Sequence, residues 1–564
     1  MALVAISPLF SRGVSAIALV MIARFVWRGY LHRSRVRSLK SQGLPILPHS
    51  LLFGHLPIFA KFGSIHPPDV NIYVFHTWVV ENYREYFPDG HPPPVVYLDL
   101  WPFSDSLALV NDPAVASQFT QIKNLPKVAM VKQYIDPLTS GLDIFCTEGQ
   151  EWKAWRSKLN PGFSVRNLTA IVPDVIQEVV VFANGLEKMA GEDGNWGPVF
   201  QLEGRTTNLT FDVICRAVLD MRLHEQSRDK ESPLKAALMD QLRLMGIVAN
   251  VARGRWIGRL PWHWVSVVRN NRTMRNILRP LIQQKLQSGT ENLQKSTVVD
   301  LAIKVEKDGL GTSNQDLSPK FMDKLIANLK IFLFAGHDTT ASAICFTIKL
   351  LQDNPQCLKA LRAEHDAVLG PDPGKAAEVL TKSPHLLFSL PYTLGVIKET
   401  LRLFPLAATI RESHPGFLLT ATDSPMKYPM EGFGLWMSSP IIQRHPDHWL
   451  RPDEFLPERW TVVEGHPLCP SNKSWMPFSL GPRNCIGMEL AVIELKLVLV
   501  LTARTLDIKE AWDEWDKKQG HKATPSHMVN GERLYQVGIS VVHPKDGMPA
   551  HVRLREKSSV TNVD

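Results

Sequence analysis

The chain has 564 residues, of which 45% are hydrophobic and 21% charged, an ordinary globular balance with enough length to bury a large core. Its net charge is +8, but the basic residues are dispersed apart from one N-terminal cluster, which argues against a nucleic-acid partner. Six cysteines (Cys146, Cys215, Cys345, Cys357, Cys469 and Cys485) show neither zinc spacing nor the density of a disulfide framework, so a reducing, cytosol-facing setting is expected.

Two apolar runs open the chain, Ala2–Phe10 and Val14–Ala23, separated by Ser11-Arg12-Gly13 and extended by Phe25, Val26 and Trp27. A spanning helix needs about 20 mostly apolar residues, a length reached here if Arg24 snorkels to the interface. Arg28, Arg33, Arg35, Arg37 and Lys40 follow, and the positive-inside bias then leaves the remaining chain in the cytosol. A cleaved signal peptide or a surface-lying amphipathic helix is the alternative, although the basic residues lie on the wrong side of the apolar run for a signal peptide. Residues 1–42 therefore read as a membrane anchor with a basic flank, and Gly43, Pro45 and Pro48 as a hinge.

Pro94–Leu100 and Leu107–Val110 predict a β-hairpin, and residues 125–143 a loop of mixed polarity. Trp152 and Arg156 share one face of a short helix closed by Pro161; a packed tryptophan beside a solvated arginine is the bland reading. Val172–Met189 and Thr207–Met221 are helical by pattern. Between His224 and Arg279 basic residues mix with Trp256, Trp262 and Trp264, which suits either a membrane-riding region or buried aromatics. The sequons at Asn167, Asn208, Asn271 and Asn472 stay unmodified in a cytosolic domain, and Lys285–Asp316 reads as a polar loop or short helices.

Ser318-Pro319 starts a long helix, N-cap then first-turn proline, that runs to about Gln352 before Asn354-Pro355 stops it. Its middle, Ala335-Gly-His-Asp-Thr-Thr340, holds a glycine and two threonines, poor interior choices that point to a function and to a locally opened turn. Threonines that back-bond and bend the helix are the alternative. Tyr392–Phe404 is another helix, with Glu399 and Arg402 at i and i+3. Near the C-terminus, Phe478, Gly481, Arg483, Cys485 and Gly487 mark a tight loop that carries one cysteine into an apolar helix from Ile486 to about Leu501. A helix N-terminus lowers a thiol's pKa, and the arginine fork suits a carboxylate. Such a loop describes the thiolate side of a haem. For Cys485 alone, an inert buried thiol is the alternative.

These stretches resemble the cytochrome P-450 family: WxxxR at Trp152–Arg156, AGxDTT at Ala335–Thr340, ExxR at Glu399–Arg402 and FxxGxRxCxG at Phe478–Gly487, in the family's order. Pro457-Glu-Arg459-Trp460 is similar to its PERF segment, with tryptophan in place of phenylalanine. The resemblance implies a mainly α fold with a small β portion, in which haem b is sandwiched between the long central helix and the cysteine-loop helix. It makes residues 43–554 the catalytic domain and 555–564 a flexible tail. It makes Cys485 the axial thiolate to the iron, with Phe478 and Gly487 beside the haem. Arg483, Trp152, Arg156 and, by position, Arg411 fall on the propionates. Asp338 and Thr339 become the acid–alcohol pair that supplies protons for O₂ cleavage, while Glu399, Arg402 and Arg459 become a buried structural network.

The activity implied is an O₂-dependent monooxygenase of the endoplasmic reticulum membrane that oxidises a lipophilic small molecule. The style is most like filamentous-fungal enzymes of secondary metabolism acting on polyketides or terpenoids. No Gly-rich dinucleotide fingerprint follows the cysteine helix, so NADPH and flavins are expected on a separate NADPH–cytochrome P-450 reductase, with cytochrome b5 as a further donor. Lys153 and Lys158 are candidate contacts for it, or ordinary solvated charges. The alternatives are a haem-thiolate isomerase or dehydratase, or a membrane haem-binding protein without turnover. The intact Asp338-Thr339 pair argues against both.

Overall fold

A computed structural model describes residues 8–87, 92–249, 258, 260–287, 296–310, 318–422, 425–471, 473–520 and 527–555. Trp256, Asn472, the first residues of the apolar N-terminal run and all of the expected tail except Arg555 lie outside these.

The central helix runs unbroken from Pro319 to Asp353. Ser318 caps it by accepting a hydrogen bond from the Phe321 N–H at 3.2 Å. At about 1.5 Å per residue it is roughly 50 Å long and crosses the body. The helix Leu202–Leu219 lies along it, and the cysteine helix, Met488–Thr502, packs against both it and Val165–Glu187. Val165–Glu187 and Pro319–Asp353 are apolar and long enough to cross a membrane, yet their apolar stretches are 56% and 78% buried by the rest of the chain, as in core helices.

The β portion is small. The predicted hairpin forms as Val95–Leu98 against Leu107–Val110, and Gly434–Met437 and then Thr409–Glu412 extend it into a four-stranded sheet. This sheet places Arg411 opposite Leu435, facing the body.

The segment expected as an irregular loop at 125–143 instead holds the helix Ala129–Thr139. Only Ile135, Leu138 and Thr139 of it are buried, too thin an apolar stripe to show in the sequence. Among the described residues between His224 and Arg279 lie the α-helices Pro233–Ala249 and Pro261–Gln287, and Trp262 and Trp264 are exposed rather than packed.

The N-terminal segment is one helix, Pro8–Ser41, with Ile17, Val20, Ile22, Phe25 and Trp27 exposed along its first half. Its second half is docked. Arg33 is buried in an ion pair with Asp99 and donates to Leu52 O and Trp101 O, while Val36 and Leu39 join the core beside the sheet. Arg35 donates to Gly432 O at 3.1 Å. Part of the basic flank is thus an attachment to the body, and the chain turns off the helix at Gly43, whose φ of +82° suits a residue without a Cβ.

Candidate active site

The cysteine loop is shaped by one obligatory glycine. Gly481 has φ +81°, and a Cβ there would fall 2.6 Å from Thr120 O, so any other residue would push the loop off the segment beneath it. The turn closes with Asn484 N–H on Gly481 O, and Cys485 N–H donates to Phe478 O at 2.9 Å. Arg156 grips the loop from below, donating to Asn484 O and to Asn484 Oδ1, both at 2.9 Å. This explains the Trp152/Arg156 face in part: the arginine positions the residue next to the cysteine.

Cys485 has an open surface, yet surrounding protein desolvates the thiol and pushes its pKa up, opposed by the Gly487 N–H and the charges of Arg156 and Lys127. The expected lowering by the helix terminus is therefore outweighed by burial, because Met488 rather than Ile486 begins the helix and only one N–H reaches the sulfur. At Gly487, nothing but the Cys485 sulfur lies within 4 Å of where a Cβ would sit.

Cations border the same region. Arg411 is 1% exposed and Arg483 9%, and the Nε and Nη1 atoms of both have no hydrogen-bond partner among the described residues. Arg483 does donate to Thr147 O and pairs with Glu148, and its guanidinium lies 4.4 Å from the Trp152 ring centroid. Burial, then the charge of Arg483, pushes the Arg411 pKa down to about 10. Lys127, bridged to Arg411 through the backbone, is the addition that sequence reasoning missed: burial and the two arginines push its pKa well below the ordinary lysine value. Leaving such groups unpaired costs about 1–3 kcal/mol each, more when charged. Two guanidiniums and an ammonium so arranged fit a ligand with two carboxylates, as haem has.

On the central helix, Ala335 is open at its surface although Phe332–Phe334 and Thr340–Leu351 are buried. The opened turn expected there does not form. Gly336 serves packing instead, since a Cβ would come within 2.9 Å of the Ile214 side chain. The helix Leu202–Leu219 also supplies hydroxyls to this turn, Thr210 Oγ1 donating to His337 O at 2.8 Å and Thr206 Oγ1 to Ala341 O at 3.3 Å. Thr339 Oγ1 donates to Ala335 O at 2.9 Å, the back-bonding anticipated from sequence. Asp338 is half-buried beside His543.

Glu399, Arg402 and Arg459 come together as expected, all fully buried. Arg402 donates to both Glu399 oxygens, at 3.0 and 2.8 Å, and Arg459 Nε to Glu399 Oε1 at 3.0 Å. Trp460 does more than keep an aromatic: its indole N–H donates to Glu399 Oε2 at 3.1 Å. Trp460→Phe is expected to lose about 1.5–3 kcal/mol of stability, as for a hydrogen bond to a charged acceptor, read as a lower urea midpoint with haem binding retained.

Haem-thiolate oxidoreductases are the class that calls for an open yet desolvated cysteine beside buried guanidiniums with unpaired N–H groups. The family model described as "Cytochrome P-450" matches residues 97–537, and the chain belongs to that family, as a monooxygenase. It is 36% identical to the cytochrome P-450 monooxygenase polC of Polytolypa hystricis (strain UAMH7299), over 96% of this chain and 95% of that one. It is 29% identical to the cytochrome P-450 monooxygenase acrF of Aspergillus aculeatus, over 81% and 94%. The crystal structure of the cytochrome P-450DA haem domain superposes with a TM-score of 0.67, covering 91% of this chain and 98% of that one, at 19% identity, and shows the shared fold.

Proposed function

We propose that this monooxygenase oxidises a lipophilic small molecule in fungal secondary metabolism, a polyketide or terpenoid, with electrons from a separate NADPH–cytochrome P-450 reductase. The observation that carries the cofactor assignment is the buried Nε and Nη1 atoms of Arg411 and Arg483, which lack hydrogen-bond partners among the described residues. These two, with Lys127, would hold the haem carboxylates, and Trp152 braces Arg483. Cys485 would hold the haem iron, with Phe478 beside it and Gly487 leaving room for the group, and Arg156 keeps the loop in register through Asn484. Haem, when bound, supplies the two-electron activation of O₂ and the insertion of one oxygen atom. Thr339 presents a hydroxyl at the open Ala335 turn, and Asp338, the residue before it, would pass protons to this turn.

The exposed apolar face of Pro8–Ser41 and the exposed Trp262 and Trp264 support a membrane-seated protein of the endoplasmic reticulum with its body in the cytosol, where cytochrome b5 is a further donor. The test is reconstitution of the haem-loaded protein in lipid vesicles with NADPH–cytochrome P-450 reductase. Reductase-dependent consumption of NADPH and O₂ is the expected result. A haem-loaded protein that consumes neither returns the isomerase, dehydratase or carrier readings.

A further inference from the structure

Behind the acid of the central helix lies a cluster assembled from three distant parts of the chain. Strand His543–Pro544 brings His543 Nε2 to 3.6 Å from Asp338 Oδ2, and His543 Nδ1 to 2.7 Å from Glu203 Oε1 in the first turn of Leu202–Leu219. Ser342, one turn after Asp338, has its hydroxyl 3.4 Å from Glu203 Oε1 and 3.3 Å from the Asp338 main-chain carbonyl, within donating reach of either, so that Glu203 lies against the turn that carries Asp338. Side-chain exposure falls from 33% at His543 to 15% at Asp338, a gradient from solvent toward the interior. Gly538, with φ +97° and no Cβ, leaves the space that the imidazole uses: a Cβ would fall 3.1 Å from His543 Cδ2.

We propose that His543, oriented by Glu203, is the proton entry that recharges Asp338. With Asp338 as the carboxylate, the imidazolium transfers its Nε2 proton to Asp338 Oδ2 as the turn draws one from it, across a gap that a small side-chain shift or one water closes. The neutral imidazole keeps its Nδ1 proton on Glu203, which fixes the tautomer, and takes a new Nε2 proton from solvent at its open third. No electrons move, and each proton leaving Asp338 is replaced by one from water. His543 is a positioning and relay residue, acting through Asp338. The relay rests on the proposed role of Asp338.

The electrostatics agree. Burial lowers the His543 pKa, but the Glu203 hydrogen bond and the charges of Asp338 and Glu203 outweigh it and raise the pKa to about 9. The other titratable group facing it is the buried His337, whose own pKa is pushed down by burial. Folding thus raises the His543 pKa from 6.5 to about 9. Its ion pairs stabilise the protein in full below pH about 6.5, and that contribution is lost as pH rises through about 9.

Two measurements on the haem-loaded protein test the relay. The first follows the His543 Cε1–H signal by NMR, assigned by its absence in His543→Gln. A midpoint near 9 that falls in Glu203→Gln is expected; a wild-type midpoint at or below 6.5 overturns the proposal, because the group would carry no proton at neutral pH. The second is the reductase-driven NADPH oxidation rate in H₂O and D₂O across pH 6–10, with no added substrate, compared for wild type, His543→Gln, Glu203→Gln and Asp338→Asn at matched haem content. His543→Gln is expected to slow oxidation about tenfold, a modest general-acid effect, and to erase both the alkaline limb near pH 9 and the solvent isotope effect. Glu203→Gln moves the alkaline limb to lower pH. If Asp338→Asn slows oxidation while His543→Gln matches wild type, the relay is overturned and the role of Asp338 stands. If Asp338→Asn itself matches wild type, that role falls and the relay with it.

Discussion

Cys485→Ala is expected to abolish the strongly red-shifted Soret band that CO gives to the reduced, haem-supplied protein, and to bring reductase-driven NADPH oxidation to background. The loss should be chemical rather than structural. What holds the loop is backbone geometry and neighbours: Cys485 N–H on Phe478 O, the Gly481 turn and the Arg156 grip on Asn484 all survive an alanine. No other cysteine can substitute. Cys146, Cys215, Cys345 and Cys357 are buried, and burial pushes the pKa of each up. Cys469 belongs to a different loop, sixteen residues upstream. A variant that keeps the band would remove the thiolate assignment, and the monooxygenase mechanism of the site would go with it.

The second large effect is at Glu399, where Glu399→Gln is expected to cost about 3–5 kcal/mol, as when one partner of a buried ion pair is removed. Five donors converge on its carboxylate: two from Arg402, one each from Arg459 and Trp460, and the Leu456 N–H at 3.1 Å. Glutamine keeps the volume but presents an NH₂ where donors already point. It also leaves Arg402 and Arg459, both fully buried, without their counter-charge. Arg402 further donates to Gln443 O and Glu454 O, and Arg459 to Arg451 O, so the defect reaches the segment 443–459 that precedes the cysteine loop. Urea titration followed by loss of the haem Soret band should show a large drop in midpoint. A shift no greater than that of Trp460→Phe would show that the network contributes little to holding the fold together.

Much of the site was legible because its chemistry is written within ten residues. The glycines, arginine and cysteine of the loop lie in one decapeptide, and Glu399 and Arg402 sit one helical turn apart. The helix Pro319–Asp353 was legible for a similar reason, since cap, proline and apolar pattern are all local signals. The glycine at 336 was misread as the mark of an opened turn. What it answers is Ile214 on a neighbouring helix, which no window around 336 contains. The docking of Arg33 on Asp99 was hidden likewise, because a basic residue after an apolar run reads as a flank until its partner is located.

The sequence by itself determined the class: a cysteine loop, an acid–alcohol turn and an ion-pair helix in one order, each a short-range pattern that survives without a fold. Only the tertiary structure decided which guanidinium atoms are left without partners and which charges meet. Arg411 and Arg483 are 72 residues apart and Glu203 and His543 are 340 apart. The shifted pKa values of Arg411 and His543 and the unpaired guanidinium atoms come from surroundings supplied by distant parts of the chain. Desolvation and Coulomb energy depend on distance and on what fills it, and those quantities exist only once the chain has folded.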